Sequence, residues 1–156
     1  MMAATLKQPV LCLALGAVLA VAVTWLLAAT MAIAAPAGFF AWFKSHGGLD
    51  LGLAIWTLLV AYLPAMGIPA FLVLSAVFRF GRATVASVVS FVAGVLLVMY
   101  LAYPLAEGWS LSLAFQRPWW GYGLELSLFA GAAAALLLAR GRAGGSPSPG
   151  PVPGPA

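Results

Sequence analysis

Long stretches without charged side chains constrain this sequence more than any other feature. Residues 8–43, 51–78 and 83–106 contain no Lys, Arg, Asp or Glu, and residues 119–139 contain only Glu125. Each stretch has at least the roughly 20 residues that a helix needs to cross a hydrocarbon core about 30 Å thick. The sequence therefore predicts an all-α membrane protein with four transmembrane helices.

Prolines, glycines and charges set the predicted boundaries. The four helices are expected at residues 10–35, 51–78, 83–103 and 119–139, within a transmembrane domain covering residues 1–142. Pro9 suits the first turn of the first helix, and Asp50 suits the N-cap of the second. The short connection at residues 79–82 predicts that helices 2 and 3 form an antiparallel pair in an antiparallel bundle. Residues 143–156 form a Pro/Gly-rich tail that we expect to be disordered.

The composition excludes several classes of function. Hydrophobic residues make up 65% of the chain and charged residues 6%, whereas a soluble domain has about 25% charged residues. The net charge is +4, but the cations are scattered and form no nucleic-acid-binding pattern. Cys12 is the single cysteine and cannot form an internal disulfide. Because acids, bases and nucleophiles are so scarce, we expect no enzymatic activity, no cofactor and no metal site.

The distribution of cations predicts the orientation in the membrane. Lys44 and Arg117 lie on one side of the predicted bundle, and the opposite side has more cations, namely Lys7, Arg79, Arg82, Arg140 and Arg142. The positive-inside rule then places both termini in the cytoplasm. The Ala-, Gly-, Pro- and Arg-rich composition favours a bacterial inner membrane. A cleaved signal peptide is the alternative for the first helix, although its apolar run is longer than the usual 7–15 residues.

Small residues at helical spacing predict close helix packing. In lipid, helices associate through such residues because apolar burial alone does not drive their association. The residues that we expect at helix contacts are Gly16, Ala20, Ser90, Gly94, Gly131 and Ala135.

Glu125 is the most distinctive side chain in the predicted membrane region. From the predicted helix bounds it would lie roughly 6 Å from the bilayer centre, where a carboxylate is costly unless protonated, paired or hydrated. One hypothesis is that Glu125 handles protons or a substrate, with Tyr122 on the same helix face. The other hypothesis is that Glu125 pairs with another side chain in a structural contact. Because the small-residue stripe of this helix faces the opposite way, Glu125 is also a candidate for contact with a second protein.

Pro64, Gly67 and Pro69 interrupt the predicted second helix near its midpoint. Proline removes a backbone hydrogen bond, so this helix is expected to kink or unwind there. Interrupted helices at this depth can line transporter sites, and they also occur as simple kinks.

Aromatic residues crowd the predicted outer side. An interfacial belt explains many of them, and contact with lipid or a partner protein is the alternative. The residues concerned are Phe39, Phe40, Trp42, Phe43, Trp109, Trp119 and Trp120.

Two functional hypotheses follow. The first is a non-catalytic accessory, scaffold or assembly partner of a membrane complex. The second is a small proton-coupled transporter, or a carrier of lipid or sugar-lipid, that uses Glu125 and the interrupted second helix. The expected partners are membrane lipids and either another membrane protein or a second copy of the chain, and no nucleic acid.

Overall fold

A computed structural model describes residues 2–102, 104 and 122–144, and every element in this part of the chain is helical. Four helices are long and apolar enough to cross a membrane, and we number them spans 1 to 4: Lys7–Met31, Leu49–Phe80, Val85–Ala102 and Gly123–Arg142. The predicted all-helical class with four candidate spans is therefore confirmed.

Eight helical elements make up the described chain. The α-helices are α1 (Met2–Met31), α2 (Phe39–Ser45), α3 (Leu49–Trp56), α4 (Ile68–Phe80), α5 (Val85–Leu97) and α6 (Gly123–Gly144). Two segments are π-helical: π1 (Thr57–Gly67) joins α3 to α4, and π2 (Val98–Ala102) follows α5. Span 2 thus stays helical from α3 through π1 to α4, and local unwinding at its prolines is not observed. The predicted kink stays a prediction.

Several predicted boundaries were wrong. Pro9 lies inside α1, because the good helix formers Leu6, Lys7 and Gln8 extend the helix ahead of the proline. Asp50 lies in the first turn of α3, and the N-cap is Gly48. At its other end, α6 continues past residue 139 to Gly144.

Two glycines with positive φ bracket α2. Gly38 has φ 87° and Gly47 has φ 69°, backbone conformations that side chains with a Cβ rarely adopt. They allow the chain to leave span 1, form α2 and turn again before α3. The aromatic residues that the sequence assigned to the outer side include Phe39, Phe40, Trp42 and Phe43, and the structure places these four on the short helix α2.

Spans 1 and 3 pack most extensively, and glycines make this contact possible. A Cβ on Gly16 would collide with the carbonyl oxygen of Phe91, and one on Gly94 would collide with the carbonyl oxygen of Leu13. The two backbones therefore touch over about one helical turn. Thr84 caps the N-terminus of α5, where its hydroxyl accepts a hydrogen bond from the Ser87 N–H at 3.2 Å.

Spans 2 and 4 form the second glycine contact. A Cβ on Gly131 would collide with the carbonyl oxygen of Gly67, and one on Gly67 would lie 3.0 Å from the carbonyl oxygen of Ser127. Spans 2 and 3, which the short connection had suggested as close partners, have no comparably extensive contact between α4 and α5. Close backbone approach at glycines, rather than connection length, decides which helices pack together.

A polar contact ties span 1 to the chain just before span 3. The side-chain amide of Gln8 donates to the carbonyl of Arg82 at 2.7 Å and accepts from the Arg82 N–H at 3.3 Å. Near the other end of α1, the Thr30 hydroxyl lies 3.4 Å from the carbonyl oxygen of Ala61, but its one proton has nearer acceptors within α1, at 3.0 and 3.1 Å. Between these contacts the core is apolar, with its largest fully buried side chains at Phe91, Met66, Leu74 and Leu128.

Candidate functional site

Glu125 lies in the first turn of α6 and is only 8% exposed. Its carboxylate accepts a hydrogen bond from the hydroxyl of Tyr100 in π2, so the side chain joins spans 3 and 4. The sequence had suggested that Glu125 could face a second protein because the small residues of span 4 point the other way. The structure buries Glu125 against span 3, whereas Leu126 and Phe129 of the same helix are 62% and 51% exposed. Contact of this helix with a second protein stays a prediction.

The beginning of α6 provides a favourable setting for Glu125. A carboxylate in the first turn of a helix is close to free backbone N–H groups and to the positive end of the helix dipole. The predicted depth of Glu125 in the bilayer stays a prediction, because residues 119–121 of the predicted span lie outside the described residues.

The beginning of α6 lies between the two π-helical segments. On one side, the ring of Tyr62 in π1 covers Gly123, where a Cβ would lie 2.6 Å from a ring carbon. On the other side lies the Tyr100 hydroxyl of π2. Within α6, the Ser127 hydroxyl donates to the carbonyl of Gly123 at 2.8 Å. Two tyrosines from different spans thus converge on one helical turn.

Prolines account for the position of both π-helical segments. Pro64 has no N–H to donate to the carbonyl of Val60, and its ring would crowd that carbonyl in a regular α-helix. Pro104 follows π2 and likewise cannot donate to the carbonyl of Tyr100. The wider π turn relieves the crowding, and π segments are frequent at functional sites.

An apolar cleft of about 380 Å³ adjoins the Tyr100–Glu125 pair. Two of its lining residues, Met99 and Leu124, are the chain neighbours of Tyr100 and Glu125. The rest of its lining comes from α1 and includes Ala20, Val23, Thr24, Leu27, Ala28 and Met31.

The residues of the interrupted helix lie close to this site. Gly67 is buried against α6, while Pro64 and Pro69 are half-buried. Tyr122 is half-buried and directly precedes α6. The segment π1 therefore packs against α6, the helix that carries Glu125. The sequence could not show this contact.

Most of the residues predicted at helix contacts are buried. Gly16, Ala20, Gly94, Gly131 and Ala135 are buried, and Ser90 is half-buried. Thr24 and Ala28 continue the four-residue spacing of Gly16 and Ala20 on α1, and both are exposed.

The aromatic residues of α2 form a cluster with Trp56 of α3, which we call the outer aromatic cluster: Phe39, Phe40, Trp42, Phe43 and Trp56. Phe39 lies 5.1 Å from Phe43 and 5.2 Å from Trp56 between ring centroids. Trp42 lies 4.9 Å from Phe43 and remains 58% exposed. Phe43 also covers Gly52, where a Cβ would meet its ring at 2.6 Å. Trp109, Trp119 and Trp120 lie outside the described residues.

His46 belongs to the edge of this cluster. Its ring lies 4.6 Å from that of Trp42 between centroids, and its Nδ1 lies 2.8 Å from the Trp42 carbonyl oxygen and 3.0 Å from the Ser45 hydroxyl. These contacts orient the imidazole along α2.

Sequence reasoning missed Tyr100 as the partner of Glu125, and Tyr62 as the neighbour of Gly123. A signal for Tyr100 existed, because the end of span 3 and the start of span 4 must lie on the same side of a membrane. The aromatic residues there were assigned to the interface as a group, and the Tyr100 hydroxyl was not considered as a partner of Glu125.

Comparisons with known proteins give no relative for this chain: no protein-family model, no curated protein and no solved structure matches it.

Proposed function

We propose that this chain is a small multi-pass protein of a bacterial inner membrane that acts as an accessory, scaffold or assembly partner of a membrane complex, without catalytic activity. The observation that carries this proposal is the contact between Glu125 and Tyr100. The carboxylate is 8% exposed and is held by a hydroxyl from a neighbouring span. A group used in this way stabilises the association of spans 3 and 4 and fits a structural role.

The outer aromatic cluster is the surface that we propose for contact with a partner. Phe39 and Phe43 anchor α2 against α3 through ring contacts, while Trp42 projects with 58% of its surface exposed. Aromatic side chains supply much of the binding energy at protein interfaces. The partner is another membrane protein or a second copy of this chain.

The arrangement in the membrane is part of the proposal. We propose that consecutive spans alternate in direction, that span 2 bends at Pro64 and Pro69, and that both termini lie in the cytoplasm. The support for the orientation is the excess of Lys and Arg at one end of the bundle. The support for the bend is the proline within π1.

The test is recovery of a partner from gently solubilised membranes. Trp42→Ala removes the projecting ring, and Trp25→Ala is the matched control because Trp25 is 79% exposed on α1, outside the cluster. We expect a partner at fixed stoichiometry with the wild-type chain and with Trp25→Ala, and its loss with Trp42→Ala. A chain that purifies as a monomer under these conditions contradicts the proposal.

A carrier of lipid or sugar-lipid coupled to protons is the second candidate. The observation in its favour is the 380 Å³ apolar cleft whose walls include Met99 and Leu124, next to Tyr100 and Glu125. In proteoliposomes, Glu125→Gln should abolish transbilayer movement of a fluorescent phospholipid and the accompanying change in lumenal pH. Movement at the wild-type rate in a folded Glu125→Gln variant would exclude this candidate.

A further inference from the structure

A small cleft of about 140 Å³ lies between spans 2 and 4, at the end of the bundle that contains Arg79 and Arg142. Two arginines line it: Arg79 in the last turn of α4 and Arg142 in the last turn of α6. Among the described residues, no acidic side chain lines the cleft. Two exposed arginines beside one small space concentrate positive charge there, which favours binding of an anion.

A third polar group lies in the same cleft. Ser75 precedes Arg79 by one helical turn on α4, and both line the cleft. The Ser75 Oγ is buried and has no hydrogen-bond partner among the described residues. Serine hydroxyls within helices commonly donate to a carbonyl of the preceding turn, so a buried hydroxyl without such a bond indicates a missing acceptor.

The remaining walls of the cleft are apolar. Phe78 contributes from α4, and Ala135, Leu138 and Ala139 contribute from α6. Leu138 is 42% exposed, so this wall continues onto the outer surface of the bundle. The site thus combines cations and a hydroxyl with apolar surface that faces the membrane, which is the chemistry of a phospholipid with its phosphate at the interface.

We propose that this cleft binds the phosphate group of an anionic phospholipid between Arg79 and Arg142, with the Ser75 hydroxyl donating to a phosphate oxygen. The planar guanidinium groups match the phosphate oxygens through paired hydrogen bonds. Basic pockets between transmembrane helices are known to select anionic lipid head groups in this way. The bound lipid joins spans 2 and 4 at the end opposite the Tyr100–Glu125 contact.

The experiment measures binding of phosphatidylglycerol and phosphatidylcholine to the purified full chain in detergent by native mass spectrometry. Arg79→Gln and Arg142→Gln should each weaken phosphatidylglycerol binding about fivefold, as expected for one cation at an anionic head group. Lys7→Gln is the matched control. It removes one cation at the same end of the bundle, and Lys7 lines a different groove. It should change binding by less than about twofold.

Two further variants distinguish a specific phosphate site from attraction of the lipid by positive charge alone. Ser75→Ala leaves the charge unchanged and should still weaken phosphatidylglycerol binding, because it removes a hydrogen bond. Arg79→Lys keeps the charge and should also weaken binding, because the ammonium group lacks the planar fork. Arg79→Lys also serves if Arg79→Gln fails to fold.

Several results would overturn the proposal. If Lys7→Gln weakened phosphatidylglycerol binding as much as the arginine variants do, the lipid would be attracted by the positive charge of the whole surface and not by this cleft. Equal binding of the two phospholipids, which both carry a phosphate, would contradict selection of an anionic head group. Wild-type binding by Ser75→Ala would contradict the hydrogen bond from Ser75 to a phosphate oxygen. Displacement of the lipid by inorganic phosphate at equal concentration would show that the cleft takes a free anion rather than a phospholipid.

Discussion

The contact between spans 1 and 3 gives the sharpest test of the fold. Gly94→Ala adds a methyl group that would collide with the carbonyl oxygen of Leu13, well inside the 3.0 Å limit that real Cβ atoms respect. Because both the methyl group and the carbonyl belong to helix backbones, no flexible side chain can move aside. The two helices must separate by about 1 Å, and a gap of that size forfeits a quarter to a half of each van der Waals contact across the seam.

The expected magnitude combines two opposing effects. Overpacking of a tight contact costs about 1–3 kcal/mol, while alanine is about 1 kcal/mol better than glycine within a helix. Gly141→Ala isolates the second effect, because nothing lies within 4 Å of a Cβ at that position in α6. We therefore expect Gly94→Ala to lower the free energy of unfolding and Gly141→Ala to leave it unchanged or raise it by up to about 1 kcal/mol.

The measurement is reversible unfolding in mixed micelles with increasing mole fraction of dodecyl sulfate, followed by far-UV circular dichroism. Gly16→Ala should behave like Gly94→Ala, because its methyl group would meet the carbonyl oxygen of Phe91 across the same seam. The double variant should cost at least about 1 kcal/mol less than the sum of the single variants, since one separation makes room for both methyl groups. Equal stability of Gly94→Ala and Gly141→Ala, or simple additivity of the pair, would refute the packing argument.

Three other predictions concern polar contacts. Tyr100→Phe should lower the free energy of unfolding by about 1–3 kcal/mol through loss of a hydrogen bond to a carboxyl group, and a double-mutant cycle with Glu125→Ala that gives no coupling would contradict the contact. Gln8→Ala should reduce hydrogen-exchange protection of the Arg82 amide, whereas Gln8→Glu, which can still accept, should retain most of it; equal exchange in both would argue against the amide bridge. Thr84→Ala should cost about 1 kcal/mol of helix stability, and Thr84→Ser should restore it by the same unfolding assay.

The four spans were predictable because hydropathy depends on composition over about 20 residues, and composition is fully present in the sequence. The partner of each span was not. The short connection at residues 79–82 suggested spans 2 and 3, but the close backbone contacts lie at Gly16 with Phe91 and at Gly67 with Gly131. Such contacts depend on the relative depth and rotation of two helices, which no local pattern specifies.

The candidate site was predictable only in part for the same reason. Glu125 stood out because a carboxylate in an apolar stretch is rare. Its place in the first turn of α6 could not be inferred, because the sequence is apolar from residue 119 onward and shows no helix boundary near Glu125. Its partner, Tyr100, lies on another span, and only the packing of the helices shows which hydroxyl reaches the carboxylate.

The contacts between spans bear differently on the two proposed functions. Glycine contacts join span 1 to span 3 and span 2 to span 4, and the hydrogen bond between Tyr100 and Glu125 joins spans 3 and 4. A carrier that moves its substrate across the membrane would have to open at least one of these contacts in each cycle. The accessory role that we propose requires no such opening, so a bundle whose contacts stay closed could still present the outer aromatic cluster to a partner.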